Sequence, residues 1–409
     1  MRNETLSMNK VPYQSHVDGL RAWAVVSVLL FHLSVDGFSG GFVGVDVFFV
    51  ISGFLITRLI RVEIEKNGTF SFKNFYLRRV RRLLPAYLLT LTLTSITAAF
   101  VFSPAHLDRF GVALSASVIS VSNFYFWFEA DYFDVSAQIK PLLHTWTLGV
   151  EEQFYLMWPL FLVLLFKLGD RRWVPVFLIF IVAISLYLNL IFGDGEVSLI
   201  SHFFPRYGAT LISNGKSTIF FLLPFRLFEF VIGALLVWIC SLKIEHRAIN
   251  ELLFWLGMAM VLYAIVFFDE TMLFPSYFAL IPCLGAAFLI YSGDRAHFSA
   301  IFENRLSVSI GLISYSLYLV HWPIVVFWQY VKEPVALGFL DKLGIVLFSF
   351  LLAFISYYFV EKPFRKKGFS IGIKKWKIAI PLCMVLFGIG LHMKVTGGWP
   401  FPIVTTYTS

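Results

Sequence analysis

Apolar residues run through this chain in blocks of about 20, separated by short polar stretches, and blocks of that length predict helices that cross a bilayer. They fall at 17–36, 41–60, 83–103, 150–167, 174–192, 218–240, 251–268, 275–292, 306–328 and 338–360, with an eleventh at 378–395. The link FSGG between the first two is short, so they form a helical hairpin. Residues 110–128 are weakly apolar and rich in Ser and aromatics, and a full crossing there would put later basic loops on the wrong side. The pattern predicts a re-entrant or interfacial segment, which is acceptable when buried against protein. The expected fold is therefore all-α and polytopic, with about ten core transmembrane helices and one more.

Charge sets the orientation. From Arg58 to Arg82 there are eight Lys/Arg against two Glu, and from Glu361 to Lys377 seven against one. Both segments read as cytoplasmic by the positive-inside rule, which puts the N-terminus inside and the tail after the eleventh helix outside. The composition agrees: 58% hydrophobic and 14% charged, where a soluble domain carries about a quarter charged residues. The net charge of +8 sits in loops between spans and is no nucleic-acid signature. Cys240, Cys283 and Cys383 all fall in apolar runs, so no disulfide framework is expected. The polar start MRNETLSMNK is read as no cleavable signal peptide.

Ionisable residues inside apolar spans are costly and face a bundle interior or a water-filled cavity. The first span, DGLRAWAVVSVLLFH, holds Asp18, Arg21 and His32. Eleven residues return His32 to within roughly 20° of the face of Arg21, about 16 Å away along the axis. The bland roles are a snorkelling Arg and a buried helix–helix hydrogen bond. The chemical role is a fixed cation and a general base on one stripe. In NFYLRRVRRLLPAY, Arg79/Arg82 and Arg78/Arg81 each share a helix face, and either pair suits a phosphate or simply anionic lipid.

Three further constellations stand out. Asp46, in GGFVGVDVFFVISG, starts the second span close to where the hairpin brings His32. In LLHTWTLGVEEQFYLMWP, His144, Glu151 and Glu152 lie at a helix entrance, and only one of the adjacent acids can face the bundle, with Glu151 favoured. In ISYSLYLVHWP, Tyr315, Tyr318 and His321 form a polar stripe that could also be an aromatic belt.

In this order, these blocks, with FVEKPFRKK, resemble membrane acyltransferase family 3 over residues 14–367. The likeness is greatest to the branch fused to a C-terminal SGNH domain, which includes O-antigen acetylases and peptidoglycan O-acetyltransferases. The resemblance implies transfer of acetyl from cytoplasmic acetyl-CoA across the bacterial inner membrane to hydroxyls of a surface polysaccharide such as lipopolysaccharide O-antigen. Peptidoglycan or another exopolysaccharide is the alternative acceptor. It also implies that His32, Arg21, Arg79 and Arg82 are required; the expected roles are His32 as catalytic with Glu151 or Asp46 orienting the ring, and Arg21, Arg79 and Arg82 on the CoA phosphates with Arg78 beside them. No metal is expected. Partners would be a glycan or lipid-linked glycan acceptor, membrane lipids, and an SGNH domain in cis or in trans, which is missing after the lead-in GGWPFP. The expected division is an acyltransferase domain at 1–367, a linker and helix at 368–397, and the start of a periplasmic tail at 398–409. The rival class, a transporter of an acyl carrier or lipid-linked sugar, would need internal repeats or paired broken helices, and none is visible.

Overall fold

A computed structural model describes residues 13–132, 139–169, 171–193, 215–242, 246–365 and 373–398. The tail beyond Gly398 and positions 194–214 of the expected external loop lie outside the described residues. The helices are α1 Ser15–His32, α2 Gly44–Asn67, α3 Phe72–Val101, α4 Pro104–Val118, α5 Ser122–Tyr132, α6 Thr145–Leu168, α7 Val174–Gly193 and α8 Gly215–Phe221. They continue as α9 Leu223–Ile239, α10 Arg247–Phe267, α11 Leu280–Ser292, α12 Ala300–Glu303, α13 Arg305–Lys332, α14 Phe339–Ile355, α15 Lys362–Arg365 and α16 Ile373–Val395. A π-helical turn, Ser356–Glu361, joins α14 to α15. No strand occurs among the described residues.

The fold is an all-α polytopic membrane bundle. Among the described residues seven helices are long and apolar enough to span a bilayer, and nine if each bent pair counts as one span. The most apolar 18-residue stretch of α13 is 72% buried and that of α7 only 22%, which separates the centre of the bundle from its lipid-facing rim. Outward-pointing Phe177, Phe180, Leu347 and Phe354 on α7 and α14 suit hydrocarbon rather than water.

The departures from the apolar pattern have local causes. The run read as one span at 218–240 is broken at Leu222 and bends by 42°. Pro224 supplies no N–H for the carbonyl of Phe220, and the Arg226 Nε–H meets that oxygen instead at 3.0 Å. The segment expected to be re-entrant or interfacial forms α4 and α5, of 15 and 11 residues, each shorter than the ~20 a crossing needs. Between them Ser120 takes a left-handed φ of 58°.

At the basic end α1 is tied down. His16 Nδ1 lies 3.2 Å from Asp294, Gln14 donates to Asp294 at 2.9 Å, and Arg58 donates to Gln14. The hydrogen bond from His16 holds the Asp294 carboxyl down at about 2. That anchorage is complete above the ordinary carboxylate range and is lost as pH falls towards 2.

Close helix crossings fix the central packing. A Cβ on Gly311 of α13 would lie 1.8 Å from the Asp18 carbonyl oxygen of α1, and one on Gly233 of α9 would lie 1.9 Å from that of Val50 in α2. Gly388 of α16 has nothing within 4 Å of such a Cβ. Gly233→Ala should therefore cost about 1–3 kcal/mol by overpacking, whereas Gly388→Ala should be neutral or slightly stabilising. Thermal unfolding of the detergent-solubilised protein checks this, and equal melting of the two variants would refute the close-crossing account.

Candidate active site

α1 is unbroken from Ser15 to His32, so Arg21 and His32 stand about 16 Å apart along one axis. Each faces its own cavity.

The cavity at the basic end, about 700 Å³ with its opening to solvent included, lies between Arg21, Ser52 of α2, Arg79 and Arg82 of α3, Glu151 and Tyr155 of α6, and Tyr315 of α13. Arg21 pairs with Asp18 at 3.1 Å. Arg79 lies over the rings of Tyr155 and Phe75, 5.9 and 5.8 Å from their centroids. Neither Arg79 nor Arg82 has an ion-pair partner among the described residues, and the Nε of each is buried and unbonded. Glu151 accepts from Ser52 at 2.6 Å, and Ser52 lies 3.1 Å from the Tyr155 hydroxyl. Three guanidinium groups thus face one carboxylate, an excess of positive charge suited to a polyanion.

Helical spacing left the two arginine pairs open, the family resemblance pointed to Arg79 and Arg82, and the fold separates the pairs. Arg79 and Arg82 line the cavity. Arg78, expected beside them, turns outward and pairs with Glu63 at 3.1 Å. Of the adjacent acids, Glu151 lines the chamber and Glu152 lines neither cavity.

The second cavity, about 1130 Å³, is lined by His32, Phe42, Asp46, His144, Trp146, Arg226, Phe274 and Trp322, with Lys216, Asp269 and Glu270 also in its wall. The ring of Trp322 is 4.3 Å from that of His32, centroid to centroid. Asp269, in the exposed loop after α10, accepts from the hydroxyl and the amide of Thr271, which hold its carboxyl below the usual range. His321 lies behind this wall, fully buried.

The expectation that Asp46 or Glu151 orients the His32 ring does not hold. Asp46 accepts from Arg226 at 3.0 Å, and Arg226 also bonds Glu229 at 2.9 Å. Glu151 is seven residues past His144, about 10 Å deeper along α6, and belongs to the arginine chamber. The groups acting electrostatically on His32 are His321 and His144, and no carboxylate is among them.

The two cavities meet at Val45 and Tyr318, which line both. The Tyr318 hydroxyl is held by Thr147 Oγ1 at 2.7 Å and the His144 carbonyl at 3.2 Å. Tyr315 spends its hydroxyl on the Leu83 carbonyl at 3.0 Å.

Four polar residues escaped the sequence reading as site candidates: Ser52, Arg226, Glu229 and Glu361. Glu361 is 1% exposed, accepts from Ser316 at 3.0 Å and from Arg365 at 3.1 Å, and acts on Arg21. The available signal was a charge inside an apolar run, as for Arg226 and Glu229 in LPFRLFEFVIG. Among the described residues no group of three or more His, Cys, Asp or Glu side chains is arranged to hold a metal.

Comparison with known proteins bears on this geometry. The chain is 31% identical over 379 residues to the peptidoglycan O-acetyltransferase OatA of Listeria monocytogenes, covering 89% of this chain and 58% of that protein. It is 34% identical over 369 residues to the O-acetyltransferase OatA of Staphylococcus aureus, covering 88% and 58%. The chain thus spans about 58% of the length of these curated relatives. No solved structure matches it. The acyltransferase domain profile matches residues 15–361, from the first residue of α1 to the last of the π turn. On that match, the chain belongs to acyltransferase family 3.

Proposed function

We propose that the chain is the membrane part of an O-acetyltransferase that carries acetyl from acetyl-CoA on one side of a bacterial inner membrane to a glycan hydroxyl on the other. The observation that carries the proposal is the pairing of two adjoining cavities along a single helix, one lined by Arg21 with Arg79 and Arg82, the last two without an ion-pair partner among the described residues, and one lined by His32. The Listeria monocytogenes relative, named for peptidoglycan, favours that acceptor over the O-antigen expected from the sequence. In this reading residues 1–367 are the acyltransferase domain, 368–397 a linker and helix, and 398–409 the lead-in to a periplasmic SGNH partner, in cis or in trans. The basic end faces the cytoplasm, with the N-terminus inside and the C-terminus outside.

Arg79 and Arg82 bind CoA phosphates at the chamber mouth, and Arg21 holds a further phosphate or the start of the pantetheine arm. The unbonded buried Nε atoms of Arg79 and Arg82 fit such a ligand, since each guanidinium has donors to spare. The arm runs up the α1 stripe past Val45 and Tyr318 and presents its thioester to the second cavity. There His32 takes the proton of the acceptor hydroxyl as the oxygen attacks the thioester carbonyl and the C–S bond breaks. The proton then passes to the departing sulfur.

Two outcomes follow for the purified full chain in nanodiscs. His32→Ala should retain acetyl-CoA binding and lose acetyl transfer by about 10²-fold or more, the usual contribution of a general base. Loss of binding with transfer intact in the remaining bound fraction would contradict that role. Arg82→Ala should weaken acetyl-CoA binding by about 10–100-fold, the range of a charged hydrogen bond. Arg78→Ala should leave it unchanged, because that side chain serves Glu63. Calorimetric titration with acetyl-CoA reads both, and equal effects of the two arginines would rule out the proposed phosphate site.

A further inference from the structure

Three histidines stand around the outer cavity, and they are unequal. His32 lines the cavity, and neither of its ring nitrogens has a hydrogen-bond partner among the described residues. His321 lies behind it on α13, with ring centroids 5.4 Å apart and planes 31° from parallel. His321 Nδ1 is 2.7 Å from the Tyr318 carbonyl oxygen and 3.2 Å from that of Leu317. A carbonyl only accepts, so Nδ1 carries the hydrogen and Nε2 of the neutral ring is a bare acceptor. That Nε2 is buried and has no partner.

His144 repeats the logic with the nitrogens exchanged. Its Nε2 lies 3.1 Å from the Leu319 carbonyl, which leaves a buried, unpartnered Nδ1. Its ring centroid is 5.9 Å from that of His321. Three backbone carbonyls of α13, those of Leu317, Tyr318 and Leu319, therefore fix two tautomers, and each ring leaves a lone pair without a donor. A buried acceptor left unpaired is costly and marks a place where a donor belongs.

In many hydrolases and transferases a carboxylate fixes the tautomer of the basic histidine. The acid nearest to hand, Asp46, is occupied by Arg226. We propose that His321 is the positioning residue of His32: after a rotation of the His32 ring within the open cavity, His321 Nε2 accepts its inner N–H and leaves the other nitrogen bare towards the acceptor. This rests on the reading of His32 as the base. During transfer the proton of the acceptor hydroxyl goes to the cavity-facing nitrogen of His32 and thence to the thiolate sulfur. His321 neither gains nor loses a proton over the cycle. It contributes orientation and a more nucleophilic ring.

The test needs no turnover. Carbethoxylation of His32 by diethyl pyrocarbonate, at fixed pH, is followed by mass spectrometry on the full chain in nanodiscs. His321→Asn keeps an amide N–H for the Tyr318 carbonyl and loses the acceptor, and should slow His32 modification about 3–10-fold, the range of one neutral hydrogen bond. His321→Gln places an amide oxygen where Nε2 stood and should restore the rate to within about twofold. A His321→Asn protein whose His32 reacts at the wild-type rate overturns the pairing, as does equal slowing in both variants, which marks a packing role. Should the Asn variant fail to fold, the 15N resonance of His321 Nε2 in the otherwise unaltered protein decides: it must move on His32→Ala, and an unmoved resonance overturns the proposal. Absence of acetyl-CoA turnover in the wild type would defeat the assignment of His32 as base while leaving these pairing results interpretable.

Discussion

Arg226 is a full charge at 1% exposure inside an apolar bundle, and the outer half of the protein is arranged to satisfy it. Its Nε–H meets the carbonyl that Pro224 leaves free, while Nη1 bonds Asp46 of α2 and Glu229 of its own helix. The rings of Phe220, Trp146 and Phe274 lie 4.9, 5.3 and 5.4 Å from the guanidinium carbon. Removing one partner of such a cluster leaves a buried charge uncompensated, a loss of several kcal/mol. The group thereby joins α2, α6, α8 and α9 at one point and forms part of the outer cavity wall.

That arrangement explains the division of charge along α1. Two buried acids of the outer half, Asp46 and Glu229, are consumed by Arg226, and the His32 ring sits beside Trp322 and His321. In the inner half Asp18 and Glu361 act on Arg21, while Arg79 and Arg82 have no ion-pair partner among the described residues and keep a buried, unbonded Nε each. One end of the helix thus offers unspent positive charge and the other an uncharged lone pair. α13 lies between them: its Tyr318 lines both cavities while the Tyr318 carbonyl holds His321 in one tautomer.

Much of this was legible in the chain. The length of the apolar runs gave the all-α membrane class, and the 11-residue offset gave the stripe, because a continuous helix leaves no freedom in either. The choice of Arg79 and Arg82 over Arg78 depended on how α3 rolls against α6, which spacing on one helix does not contain. Proximity misled for Asp46. The hairpin does bring it to the outer cavity, but Arg226, 180 residues later, competes for its oxygens. Glu151 misled through depth, since a residue near a helix start in sequence lies a third of a bilayer inward. The kink at Leu222 was encoded in Pro224, yet its consequence, a carbonyl awaiting a guanidinium, is visible only in three dimensions.

The π turn at Ser356–Glu361 has an implication for how this chain tolerates change. Such a turn accommodates one residue more than the regular helical count, and everything past it is rotated by about 100°. It is this rotation that brings Glu361 inward to Ser316 and within reach of Arg21, rather than out among the lipids that Phe354 and Phe359 face. Shortening the segment by a single residue would leave a helix of unblemished hydropathy and turn the acid away from its cation. The phase of that helix, more than its composition, keeps an acid beside Arg21.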